Sequence, residues 1–187
     1  DTPYVASTSN LNLDSTSQSI TLSQDLGDLV IKKILTFHSN LSYDVKIELS
    51  RQVEYFISNG ARPIADSSPY VFKGVIIKKN DDKLEKIEDG DSSETLTFNK
   101  AKFVASVDRY YTTLFFNQDG FDIITDSDSN ENALPYVILR DNASFSGYIG
   151  PKNYQDLSNI SSDLGDVVEY GVITFFAKPL FLLLEWL

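Results

Sequence analysis

The chain has 187 residues, 42% of them hydrophobic and 23% charged, a balance that excludes a disordered protein and is long enough for one domain with a real core but short for two. Lys and Arg number 16 against 27 Asp and Glu, giving a net charge of -11. An acidic surface of that strength repels phosphates and argues against nucleic acid as a partner.

Residues 1–19 are rich in Ser, Thr and Asn, and read as a flexible tail or linker. Residues 29–37 and 41–49 read as two strands, with His38-Ser39-Asn40 as the hairpin turn between them. In the second strand Leu41, Tyr43, Val45, Ile47 and Leu49 alternate with Ser42, Asp44, Lys46 and Glu48. A period of two predicts one buried face carrying Tyr43, Val45 and Ile47, with Ser42, Asp44 and Lys46 pointing away from the core. Further strands are expected at 53–57, 70–78, 94–98, 102–107, 110–116, 121–125, 135–140 and 145–149. Turn signals separate them at Asn59-Gly60, Asn80-Asp81-Asp82, Asp89-Gly90-Asp91, Asp119-Gly120 and Asp141-Asn142. The charge run from Asp81 to Asp91 reads as a solvated loop or short helix. Many short strands without interleaved helices predict a mainly β, antiparallel sandwich over residues 20–165.

The ending has a different pattern. Residues 153–162 read as a short helix, with Gly165 as a stop signal. Within residues 166–187, Thr174, Lys178 and Glu185 fall near one helical face and most of the rest is large and apolar. That is a junction followed by an amphipathic helix, bent at Pro179. It is short for a membrane span and interrupted by polar groups, and it suits a helix lying in a membrane interface with Trp186 at headgroup depth. The competing reading is a C-terminal helix packed on the sandwich.

Chemistry-bearing constellations are sparse. Cys is absent, which excludes disulfides, thiolate zinc sites and cysteine nucleophiles and leaves the redox compartment open. Met is also absent and the chain starts at Asp1, so it reads as a piece of a longer protein whose preceding signal or anchor would be out of view. His38 is the only histidine; one imidazole cannot build a multi-His metal site, and no orienting partner is evident, so it reads as a plain surface residue. Asp126-Ser127-Asp128-Ser129-Asn130 alternates oxygen ligands as a calcium loop does. An EF-hand then needs Gly and Glu where this chain has Glu131 and Val137, so the stretch reads as a solvated acidic hairpin loop. Tyr110, Tyr111, Phe115 and Phe116 read as core aromatics rather than a cleft lining. No Gly-rich phosphate loop and no G-x-S-x-G elbow occurs. No enzyme activity, cofactor or metal is expected.

Three stretches carry a family resemblance. Glu169-Tyr170-Gly171, then Phe175-Phe176-Ala177-Lys178-Pro179-Leu180-Phe181, then Leu184-Glu185-Trp186-Leu187 resembles the junction of bacterial YidC membrane protein insertases. In that family a turn of this kind leads out of a large periplasmic domain into an amphipathic helix on the periplasmic membrane face. Tyr148-Ile149-Gly150-Pro151-Lys152 resembles the strand end that precedes a short helix in the same domain, and Lys102-Phe103-Val104-Ala105 with Arg109-Tyr110-Tyr111 resembles a third segment. The resemblance is specific from about Lys102 onward. It implies a β-supersandwich similar to galactose mutarotase, usually longer than this chain. It implies a non-catalytic periplasmic domain of a bacterial inner-membrane protein that assists insertion and folding of other membrane proteins. The implied partners are Sec translocon subunits (SecD/SecF and SecYEG), nascent membrane proteins, and the membrane surface through the C-terminal helix. The implied interface residues are Tyr170, Gly171, Phe175, Phe176, Lys178, Pro179, Leu180, Phe181, Leu184 and Trp186, with Tyr148, Gly150, Pro151 and Lys152 as the family motif. The insertase core lies beyond Leu187 in that family, so none of its residues is carried over. The alternative is a carbohydrate-binding or mutarotase-like sandwich, which would need His and carboxylates converging on a cleft.

Overall fold

The computed structural model describes residues 2–14, 16–60, 72–92 and 94–168, which form two compact units, one ending at Lys152 and one beginning at Asn153. The first unit holds eleven strands: β1 (Val5–Ala6), β2 (Gln18–Asp25), β3 (Val30–Phe37), β4 (Ser42–Leu49), β5 (Glu54–Ile57), β6 (Gly74–Lys78), β7 (Leu84–Glu88), β8 (Leu96–Val107), β9 (Tyr111–Ser127), β10 (Ala133–Arg140) and β11 (Ala143–Pro151). Every pairing is antiparallel, in the order β1-β2-β3-β4-β11-β9-β8-β6-β7, with β10 on the second half of β9 and β5 outside β10. The mainly β, antiparallel architecture is the one expected.

Two long strands carry the sheet around its own apolar face. β9 pairs with β11 through residues 111–116 and with β10 through residues 122–127. β8 flanks both halves, and its register shifts between Phe98 and Phe103. The enclosed core takes Val45 and Ile47 from β4, Val75 and Ile77 from β6, Val104 from β8, Phe121 and Ile123 from β9, and Val137 from β10. The Phe145 ring meets Phe115 edge-on at 4.9 Å and Phe121 at 5.6 Å, so one aromatic of β11 ties together the two halves of β9.

The alternation of β4 holds where it matters. Tyr43, Val45 and Ile47 are buried while Asp44 and Lys46 are exposed. Burial pushes the Tyr43 phenol up to about 12. Ser42 departs from the expected pattern: it is buried, because its hydroxyl and amide both donate to Asn40 Oδ1, at 2.7 and 3.1 Å, and the turn closes over it. Elsewhere alternation gives way to burial on both faces. Ile76, Phe103, Ala105, Leu114 and Tyr148 are buried on the side of the sheet opposite Val75, Val104 and Phe115.

Three further expectations are corrected. Asp119-Gly120 does not reverse the chain, so residues 110–116 and 121–125 belong to one strand, as do 94–98 and 102–107. Gly120 sits at φ +80° beside Lys100 at φ +51°, and a Cβ on Gly120 would come within 2.8 Å of the Lys100 carbonyl carbon. This is a bulge that bends a continuous strand. The acidic run contains a strand: β7 pairs with β6 along its length and buries Ile87, and its other edge, which no described strand pairs, carries charges that make it unattractive to other strands. Within the stretch expected to be a tail, Val5–Ala6 pairs with Ser23 and Leu22 of β2.

The second unit contains α1 (Tyr154–Ile160), whose N-cap Asn153 accepts from Gln155 N at 2.9 Å and Asp156 N at 3.3 Å. Gly165 does not end this helix. It lies inside a 3-10 turn over Ser162–Val167, where a Cβ would meet Ser158 Oγ at 2.6 Å. Of the junction and helix expected at residues 166–187, residues 166–168 belong to the end of this turn and 169–187 lie outside the described residues, as do all ten interface positions from Tyr170 to Trp186.

Candidate functional site

The stretch Tyr148 to Lys152 at the end of β11, read from the sequence as a family motif, is a locked strand terminus. The Tyr148 ring is 1% exposed and its hydroxyl donates to the Pro151 carbonyl at 2.9 Å. Gly150 leaves room for that arrangement: a Cβ there would lie 2.7 Å from Tyr148 Oη and 2.8 Å from Leu41 Cδ1. Pro151 is the last residue paired with β9, and Lys152 N then donates to the Tyr110 carbonyl at 2.7 Å. Burial holds the Lys152 ammonium below the ordinary lysine value, and the nearby Asp108 carboxylate partly offsets that. Asp108 is itself buried and accepts the amides of Tyr110 and Tyr111, each at 2.8 Å.

A groove opens where β9 bends. β11 pairs with β9 only from Ser146 onward, so residues 143–145 have β4 on one side and, among the described residues, no strand on the other. The Ser144 carbonyl takes only a long contact, 3.4 Å, from the Asn117 side-chain amide. The concavity beside it holds about 390 Å³ between Asn117, Asp119, Asp122, Arg140, Asn142 and Phe145. Arg140 spans its rim, with Nε 2.7 Å from Glu54 and Nη1 3.6 Å from Asp122. Ser144 also lines two adjoining hollows, toward Asp44 and toward Lys46. Sequence patterns missed this groove because its cause is the bulge at Gly120, which the local code presents as a turn.

His38 has partners that the sequence did not disclose. Its Nδ1 lies 2.7 Å from Ser17 Oγ and its Nε2 lies 2.9 Å from Asp44 Oδ2, while Ser146 donates to Asp44 Oδ1 at 2.7 Å. Burial works against the Asp44 charge, but the hydrogen bonds from Ser146 and His38 outweigh it and hold the carboxyl below the usual range. The six-residue separation of His38 and Asp44 across a hairpin turn was the available signal. The acidic loop is self-satisfied. Asp128 Oδ1 accepts the amides of Asn130 and Asn132 at 2.8 and 3.0 Å, and Oδ2 accepts the Asn132 side chain at 2.8 Å. Among the described residues no three carboxylates or imidazoles converge as a metal-binding group. Of the four aromatics expected in the core, Phe115 is buried and Phe116 half-buried, while Tyr110 and Tyr111 are exposed.

A family model described as the YidC periplasmic domain matches residues 1–183. The chain belongs to the YidC periplasmic domain family. A Membrane protein insertase YidC from Helicobacter pylori is 46% identical over 194 residues, covering 100% of the chain. Relatives of the same name from Wolinella succinogenes and Campylobacter jejuni are 44% and 36% identical, over 98% and 99% of the chain. The chain spans 35% of the length of each of these relatives. It is thus a YidC periplasmic domain, on the periplasmic side of a bacterial inner membrane. The Tyr148 to Lys152 lock and the groove below the β9 bend are features of a YidC periplasmic domain.

Proposed function

We propose that this domain is non-catalytic and assists insertion and folding of inner-membrane proteins by holding extended segments of substrate or partner in the groove at the β9 bend. The observation that carries the reading is the edge of β11 at residues 143–145, where among the described residues no strand lies alongside one side of a groove lined by amides and charges. An extended segment gains backbone hydrogen bonds at such an edge whatever its sequence, which suits a helper that meets many substrates. Nascent membrane proteins are the substrates, and Sec translocon subunits, SecD/SecF and SecYEG, are the partners that the family resemblance suggests. Residues 166–187 serve as the junction to the membrane, with Leu180, Phe181, Leu184 and Trp186 against lipid and Lys178 and Glu185 toward water. At about 25 cal/mol per Å² of apolar area, several such side chains contribute several kcal/mol at an interface.

The test uses the full-length insertase. A photo-crosslinking residue at Ser144 is expected to capture a nascent inner-membrane protein or a translocon subunit, and one at Glu85 on the β7 edge is not. Leu180→Asp with Leu184→Asp is expected to impair insertion, whereas deleting residues 126–131 is not. Equal adduct yields from Ser144 and Glu85 would remove the groove from the account, and normal insertion by the double Asp variant would remove the junction.

A further inference from the structure

Among the described residues ten large hydrophobic side chains are exposed, and four of them, Leu41, Tyr110, Tyr111 and Ile149, lie on chain segments that are neighbours at one end of the sheet. Backbone hydrogen bonds join those segments. Ile149 N donates to Leu41 O at 3.3 Å, Lys152 N donates to Tyr110 O at 2.7 Å, and Tyr111 pairs with Pro151 two positions beyond Ile149. The four are 40 to 52% exposed. They project from three neighbouring chain segments, 38–41, 108–111 and 148–152.

Two details set this rim apart from scattered surface apolar groups. Leu41 stands at φ +67°, a left-handed conformation that glycine or asparagine adopts with less strain. Its side chain packs in part over Gly150 yet stays 51% exposed, so burial returns little for the strain. The charge is also inverted locally. The three segments contain Arg109 and Lys152 against one carboxylate, Asp108, in a chain whose net charge is -11. Asp108 is buried with Oδ1 taken by the Tyr110 and Tyr111 amides, while the Arg109 guanidinium lies 5.0 Å from the Tyr110 ring centre. The rim therefore presents aliphatic tips, amphipathic tyrosines and the Arg109 guanidinium, with Lys152 half-buried, a side-chain set favoured at the phosphate level of a bilayer.

We propose that this rim is a lipid-contact surface of the sheet unit, resting in the headgroup region of a phospholipid bilayer with Leu41 and Ile149 deepest. It is separate from residues 170–187, and the two contacts stand or fall independently. The strand that bears Ile149 is the one that leads, through Lys152, toward the apolar C-terminal run, so a membrane contact here is continuous in the chain with the junction.

The test places one tryptophan in the whole chain. In a Trp186→Phe background, Tyr110→Trp reports on the rim. Leu26→Trp reports on the turn at the opposite end of β3, where Leu26 is 46% exposed. Vesicles of phosphatidylcholine and phosphatidylethanolamine, with and without brominated acyl chains, are added. The rim reporter is expected to shift to the blue and to be quenched more than about twofold beyond the control, as a ring at the bilayer interface is. Adding Leu41→Asn, which relaxes the backbone while removing the apolar tip, is expected to lower that quenching. Equal quenching at both positions, or quenching absent at the rim, overturns the proposal. So does a concentration-dependent dimer that buries the Tyr110→Trp reporter without lipid, which would make the rim a contact between copies. Flotation of the Leu180→Asp, Leu184→Asp variant reports on the junction alone.

Discussion

Replacing Gly150 by alanine tests whether the family motif is a packing lock. The added Cβ would lie 2.7 Å from Tyr148 Oη, 2.9 Å from Tyr148 Cζ and 2.8 Å from Leu41 Cδ1, all inside the carbon contact distance of about 3.5–4.0 Å. Leu41 is half exposed and swings away cheaply. Tyr148 is 1% exposed and has nowhere to go without giving up its bond to the Pro151 carbonyl. Overpacking a filled site costs about 1–3 kcal/mol, and leaving a buried hydrogen-bonding group unsatisfied costs about 1–3 kcal/mol. Because one displacement relieves part of both, Gly150→Ala is expected to lose about 2–4 kcal/mol, a fall in Tm of about 5–15 °C for a chain of this size. Urea unfolding followed by circular dichroism measures the loss, with an unchanged m-value as the sign that the folded state persists. Tyr148→Phe alone should cost about 1 kcal/mol, and the double variant should cost less than the sum, because removing Oη removes the closest contact. A neutral Gly150→Ala, or strict additivity of the pair, would refute the lock.

Two further outcomes are expected. Asp128→Ala should destabilise the 126–131 loop by about 1–2 kcal/mol, since three accepted hydrogen bonds are lost together, and calorimetry should detect no calcium binding tighter than about 1 mM. Tight binding abolished by Asp126→Ala with Asp128→Ala would contradict this. The Asp44 carboxyl is lowered in the fold, so its contribution is complete above the ordinary aspartate value of about 3.9 and is lost as pH falls through its folded value. Because the side chain is 56% exposed, Asp44→Asn should cost less than about 1 kcal/mol at pH 7, and the difference from the unaltered chain should shrink as the pH is taken down through the carboxyl's folded value. A difference that persists in acid would show that packing, rather than charge, is responsible.

The class of fold was legible because period-two alternation is a local property. Tyr43, Val45 and Ile47 announce a half-buried strand wherever they occur, and the Asn and Asp clusters between runs announce turns. The resemblance to the family rests first on residues 169–187 and second on Tyr148 to Lys152, and the spacing of that second stretch has a local cause. A tyrosine hydroxyl reaching three residues ahead to a carbonyl needs a residue without a side chain on the way. Alternation weakened where burial came from both sides, as at Val75, Ile76 and Ile77, which read as one apolar run.

What tertiary structure decided were the features whose partners lie far away in sequence. Asp119-Gly120 has the composition of a reversing turn, but Gly120 is pressed against the Lys100 carbonyl by the β8–β9 pairing, so the chain bends and continues. That single outcome merges four expected strands into two, folds the sheet over its core and opens the groove beside Ser144. Leu84 and Ile87 were outnumbered by charge and became a strand only because β6 offered an edge. His38 found Ser17 and Asp44 because two hairpins bring residues 17, 38 and 44 together. In each case the deciding energy is a contact between segments tens of residues apart. A window along the chain records propensity and hydropathy, and it contains no term for which strand will be lying alongside.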